Sequence, residues 1–178
     1  MPRQDDQIEK VWALIEAIKI AMVVTHDGRG DELRARPMAA HPDPQQNAIF
    51  FLTDAGSAKV GEVVDNDDVC LAFADPKARH YLSVTGQASL SNDRAMIRRL
   101  WSDAERAFWR DENDSAIRIL RVDVLGAEYW RGPAAVTGYM KTLWARLANR
   151  KPALRDNEKV LLSGPPGSLR RPTDGVRR

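Results

Sequence analysis

The fold turns on Phe51–Lys59, FLTDAGSAK. An apolar run that begins at Ala48 (AIFFLT) ends at Thr53, Asp-Ala-Gly interrupts it, and a helical pattern opens at Ser57 and continues to Val64, so a strand hands over directly to a helix. A helix N-terminus presents unpaired N–H groups and partial positive charge. A hydroxyl (Ser57) and an ammonium (Lys59) in its first turn add the chemistry that suits a phosphate. Read alone, the segment also accommodates a plain alternative, with Ser57 as an N-cap and Lys59 as a solvated side chain.

The preceding strand, Leu33–Ala40 (LRARPMAA), has a comparable character. Arg34 and Arg36 are two residues apart and share one face, while Ala35 and Pro37 take the other. Pro37 removes a ladder donor, which predicts a free edge or a bulge there and leaves backbone groups open to a ligand. Two surface arginines on a solvated face is the competing reading.

Asp5–Lys19 places Ile8, Val11, Trp12, Ile15 and Ile18 at helical spacing, with Asp5 or Asp6 as cap. Ala21–Thr25 and Leu33–Ala40 flank the polar loop HDGRGDE and read as a β-hairpin. HPDPQQN is a Pro-rich turn before the Ala48 strand. Val69–Ala74 and Tyr81–Leu90 are further strands. Ser91 is the expected cap of a second amphipathic helix that turns Ala95, Ile97, Leu100, Trp101 and Ala104 inward. Ile117–Val124 is a sixth strand that GAEYW extends. Thr137–Asn149 has helical spacing, and Lys159–Leu162 is a short closing strand. Residues 163–178 hold three Pro, three Gly and four Arg without periodicity, and a disordered basic tail is expected there, after one domain spanning 1–162. Short strands with tight loops, helices only at the periphery and no βαβ alternation predict a mainly β fold. The expected architecture is an antiparallel β-barrel with flanking helices.

Composition narrows the function classes. The 178 residues suit one domain. No run reaches the roughly 18–20 apolar residues of a membrane span, and MPRQDDQIEK lacks the apolar stretch of a signal peptide, so a cytoplasmic protein is expected. The single cysteine, Cys70, cannot form an internal disulfide, and its apolar context predicts an inert thiol. His26, His41 and His80 lack metal-ligand spacing, so no metal site is assigned. The net charge of +2 conceals an asymmetry: residues 137–178 carry ten basic and three acidic side chains. That excess reads as the solvated face of an amphipathic helix and its tail, and no nucleic-acid partner is expected.

The order of these motifs resembles the flavin-binding split barrels of the pyridoxamine 5′-phosphate oxidase-like superfamily, in its general stress protein branch. The residues that carry the resemblance are R-x-R-P-M (Arg34–Met38), F-x-T-D-x-x-S-x-K (Phe51–Lys59), S-V-x-G (Ser83–Gly86), the Trp101, Phe108 and Trp109 region, L-R-V (Leu120–Val122), A-E-Y-W (Ala127–Trp130) and N-E-K-V (Asn157–Val160). What the resemblance implies is a split β-barrel homodimer with FMN held non-covalently at its interface, FAD being possible. Carried over by position, Arg36, with Arg34 or Lys59, and Ser57 would meet the phosphate. Pro37, Met38, Leu52 and Thr53 would lie along the isoalloxazine, and Trp109 would come from the second subunit.

One departure limits the analogy. After Glu128–Trp130 the oxidase proper continues with an Arg-Leu-His-Asp-Arg type motif that holds its pyridoxal phosphate substrate, whereas this chain reads RGPAAVTGYM. The resemblance therefore implies a flavin site without that substrate site. The functional expectation is an oxidoreductase passing electrons from a donor such as NAD(P)H through bound flavin, with no catalytic residue identifiable. The alternatives are a non-catalytic flavin-binding or flavin-sequestering stress protein, and a barrel that takes haem or deazaflavin.

Overall fold

The computed structural model of the chain describes residues 4–26, 32–103, 105–131 and 157–162. The expected helix over Thr137–Asn149 and the tail over 163–178 lie outside them, as does Ala104. Eight strands form one antiparallel sheet in the order β2-β1-β5-β6-β7-β4-β3, with β8 on β7. They are β1 (Ile20–His26), β2 (Leu33–Ala39), β3 (His41–Asp43), β4 (Ala48–Asp54), β5 (Asp68–Asp75), β6 (His80–Ser91), β7 (Ile117–Arg131) and β8 (Asn157–Leu161). The helices are α1 (Gln4–Ile18), α2 (Ala58–Asp65) and α3 (Arg94–Leu100), with short 3₁₀ turns at Pro44–Gln46 and Glu105–Ala107. The sheet curls into a half-barrel with helices around it: the antiparallel barrel with flanking helices that the residue pattern predicts, in the split form that the resemblance implies.

Burial follows the alternation of each strand. In β1, Ala21, Val23 and Thr25 point inward. In β6, Leu82, Val84, Gly86 and Ala88 do so. α1 contributes Val11, Trp12, Leu14 and Ile15 to the same core. β4 differs, because every residue from Ala48 to Thr53 is buried. Ile49 and Phe51 belong to the barrel core, while Ala48, Phe50 and Leu52 pack with Ile97 of α3 and with Ile117 and Ile119 of β7. That is why AIFFLT is continuously apolar: both faces of the strand leave water.

Two local expectations are corrected. Asp93, not Ser91, caps α3. Its carboxylate accepts from the Ala95 and Met96 amides, while the Ser91 hydroxyl accepts from the Asp93 amide. Two residues compete for one capping role, and the one nearer the helix takes it. Within HPDPQQN the first three residues form β3, paired with Ala48–Phe50, and only Pro44–Asn47 turn. Prolines on a terminal edge strand cost no ladder bond, so Pro42 did not forbid a strand there. The long β7 carries a bulge at Leu125, opposite the step from Thr85 to Gly86 in β6, where the register shifts by one residue. Among the described residues no helix is long and apolar enough to cross a membrane.

Candidate functional site

β2 and β3 are the two ends of the sheet path, and they are joined in sequence by Ala40 alone. The barrel therefore opens between them, and the opening is a cleft of about 340 Å³. Pro37, Met38 and Ala39 form one wall from the free edge of β2. Leu52, Thr53 and Asp54 form the other from the end of β4. His41, Lys59 and the Glu105–Trp109 segment close its ends. The free edge expected at Pro37 is thus real, and it faces the cleft.

At the strand-to-helix junction the hydroxyls are gathered by Lys59. Its Nζ donates to Thr53 Oγ1 at 2.9 Å, and Thr53 Oγ1 lies 3.2 Å from Ser57 Oγ. Ser57 occupies the N-cap of α2 without a side-chain capping bond, so its hydroxyl is directed to Thr53 instead. Half-burial holds the Lys59 ammonium below the usual lysine range, Arg36 adds to the shift, and Asp54 and Glu62 oppose it. Desolvation is the largest of these effects. Lys59 also lines the cleft, where an ammonium can meet an anion.

Arg36 is placed differently. Its two terminal nitrogens donate to Glu62 at 2.6 and 2.8 Å, and Nη1 also donates to Thr25 Oγ1 at 3.0 Å. Thr25 in turn donates to Glu62 at 2.6 Å, closing a three-residue network in which Glu62 is 6% exposed. These bonds hold the Glu62 carboxyl below the usual carboxylate range against the effect of burial, and the field of Arg34 adds to them.

The other end of the cleft is aromatic and titratable. Phe108 and Trp109 sit with ring centroids 5.9 Å apart at 56°. His41 Nε2 lies 3.8 Å from Glu105 Oε1, and the other oxygen of Glu105 accepts from the Ser102 amide at 3.0 Å and from the Ser102 hydroxyl. Burial lowers the His41 pKa, with Glu105 acting in the opposite direction.

Of the residues singled out in the sequence, Pro37, Met38, Leu52, Thr53, Lys59 and Trp109 line this one cleft. Trp109 does so from the same chain. Ser57 joins through Thr53. Arg36 and Arg34 are not among the residues lining the cleft, and Arg36 is bound to Glu62 of α2. Sequence reasoning missed Glu105, Glu62 and the cleft position of His41. Two signals were available. Ser102-Asp-Ala-Glu105 is a capping-box spacing, and Glu62 is an acidic residue beside Val63 on the inward side of α2, where a charge requires a partner.

Comparison with known proteins agrees with this fold. Residues 6–152 match the family model described as pyridoxamine 5′-phosphate oxidase like. The crystal structure of the general stress FMN/FAD binding protein from Xanthomonas citri is 26% identical, with a TM-score of 0.64, covering 74% of this chain and 92% of that one. A Clostridium acetobutylicum protein related to general stress protein 26 is 20% identical, with a TM-score of 0.66 over 90% of this chain and 97% of that one. Protein bli-3 of Neurospora crassa is 22% identical over 159 residues, 84% of this chain and 76% of its own.

Proposed function

Because the chain belongs to the pyridoxamine 5′-phosphate oxidase-like family, we propose that it binds FMN non-covalently in the cleft between β2 and β4 and serves as a flavin-dependent oxidoreductase of the general stress protein type. The observation that carries this reading is the half-buried Lys59 ammonium, anchored on Thr53 at the start of α2 and at one end of a cleft walled by Pro37, Met38 and Leu52. A cation with little water around it beside two hydroxyls suits a phosphate monoester, and apolar walls with free backbone groups suit a flat heterocycle. Trp109 would add an aromatic face. When bound, FMN supplies one- and two-electron chemistry with NAD(P)H as the donor; the protein supplies binding, orientation and exclusion of water.

The same reading makes the protein a homodimer. Across β2, β1 and β5 one face carries Ala35, Pro37 and Ala39, paired with Val24, Met22 and Ile20, and then Cys70 and Ala72, paired with Val24 and Met22. Ile20 is 50% exposed and Met22 39%. A contiguous apolar sheet face of this kind favours a protein partner. It runs into the cleft wall at Pro37 and Ala39, so a second copy seated there would extend the walls of the site.

Titration of the purified chain with FMN, FAD and riboflavin, followed by flavin fluorescence, tests the binding. Saturable quenching by FMN supports it, and unchanged flavin fluorescence refutes it. Stopped-flow reduction of the bound flavin by NADH and NADPH tests turnover. A rate no faster than that of free FMN would make the protein a binder without oxidoreductase activity.

A further inference from the structure

The family pattern places a phosphate ligand at Arg36, but its guanidinium is already committed. Both terminal nitrogens donate to the two oxygens of Glu62, and Nη1 also donates to Thr25. Glu62 receives three short hydrogen bonds, counting that of Thr25, and is almost wholly removed from water. A fork-on-fork pair of this geometry is strong and directional. Withdrawing Arg36 toward an anion would leave the Glu62 carboxylate buried with one hydroxyl partner.

The network also has a mechanical position. Thr25 lies on β1, Arg36 on β2 and Glu62 on α2, so the three bonds tie the helix that carries Lys59 to the first hairpin of the barrel. Glu62 is three residues after Lys59 on that helix, and Lys59 in turn holds Thr53 on β4. The distance between the two cleft walls is therefore set through α2.

We infer that Arg36 is a positioning residue that straps α2 to the β1–β2 hairpin through Glu62, and that Lys59, not Arg36, is the side-chain cation that meets the ligand's phosphate. This rests on the flavin reading for the ligand but not for the strap.

The two roles predict opposite signs. Purified full-length protein and the variants Glu62→Gln, Arg36→Lys, Thr25→Val and Lys59→Ala are titrated with FMN and with riboflavin, which lacks the phosphate. As a strap, Glu62→Gln and Arg36→Lys weaken FMN and riboflavin by similar factors, because both ligands share the displaced wall. Lys59→Ala alone lowers the preference for FMN over riboflavin, by about tenfold or more. If Arg36 were the phosphate ligand, Glu62→Gln would release it and tighten FMN, and Arg36→Lys would lower the FMN preference selectively. Either result overturns the inference.

A ligand-free measurement separates the strap from the flavin reading. In urea unfolding of Arg36→Lys, Glu62→Gln and the double variant, a strap makes the double variant's unfolding constant close to that of the worse single variant. Two independent residues would multiply their effects, which overturns the strap whatever the protein binds. Strong coupling with no flavin uptake by the wild-type chain would overturn the cleft reading and leave the strap standing. Thr25→Val, which removes two hydrogen bonds and no charge, keeps the comparison available if Glu62→Gln does not fold.

Discussion

Lys59 Nζ lies 2.9 Å from Thr53 Oγ1, so the first turn of α2 is bonded back to the last inward-facing residue of β4. The ammonium is held at the strand-to-helix junction, with one of its three donors used on that bond.

Replacing Lys59 removes both the charge and the tie. Lys59→Ala is expected to weaken FMN binding by about 1.5–3 kcal/mol, the scale of a charge-assisted hydrogen bond. Isothermal titration with FMN measures it. Because burial lowers the Lys59 pKa, FMN affinity should begin to fall at a lower alkaline pH than an ordinary lysine would give, and the Arg variant should abolish that dependence.

Acid sensitivity follows from Glu62. Its folded-state pKa lies below the unfolded value, so its pairing contributes stability that is fully present above the unfolded carboxylate pKa and is lost as pH falls through the folded one. Urea midpoints measured from neutral to acid pH should decline in the wild type across that window. Glu62→Gln should start lower and decline less.

Gly86 is required by close approach. A Cβ added there would stand 2.5 Å from the Asp123 carbonyl oxygen and 2.6 Å from Val122 Cγ1, beside the β7 bulge at Leu125. The obstacle includes backbone, which cannot swing aside. Gly86→Ala should cost about 1–3 kcal/mol in unfolding free energy, whereas Gly61→Ala, with nothing within 4 Å on a helix, should be neutral or stabilising.

The outward sheet face predicts assembly. Met22→Glu and Ala72→Glu place carboxylates on paired positions of β1 and β5. Light scattering should report a dimer for the wild type and a monomer for the double variant, with flavin affinity reduced in the monomer. A monomeric wild type would contradict the homodimer.

His41 and Glu105 form a measurable pair. Glu105 raises a His41 pKa that burial lowers, so Glu105→Gln should lower it further. Proton NMR of the imidazole across a pH titration reads this directly, and an unchanged midpoint would mean that the two groups do not interact.

Legibility varied with how local the cause was. LRARPMAA and YLSVTGQASL carry their own alternation and AIFFLT an unbroken apolar run, and the strands formed where those patterns stand. The open edge at Pro37 was legible because a proline in a strand is a local feature, whereas Met38, Leu52 and Thr53 entered only through the family resemblance. The commitment of Arg36 was not, since Glu62 lies 26 residues away and only the pairing of β1 with β2 brings Thr25 alongside. His41 went unplaced for a related reason: its strand exists only because β4 offers an edge.

β7 runs for fifteen residues and lends one flank to two tenants end to end. β4 occupies it as far as Asp123, where Ala48 pairs, and β8 takes over from Gly126, opposite Leu161. The seam is filled by Asn47, in the left-handed region at φ 49°. Its carbonyl accepts from the Val124 amide, and its side chain donates to the Val124 and Leu162 carbonyls. The lane has no spare length. An insertion in the turn before β4 would push against β8, so length variation among relatives should avoid Asn47, and the width of the cleft is tied through this junction to a segment more than a hundred residues later in the chain.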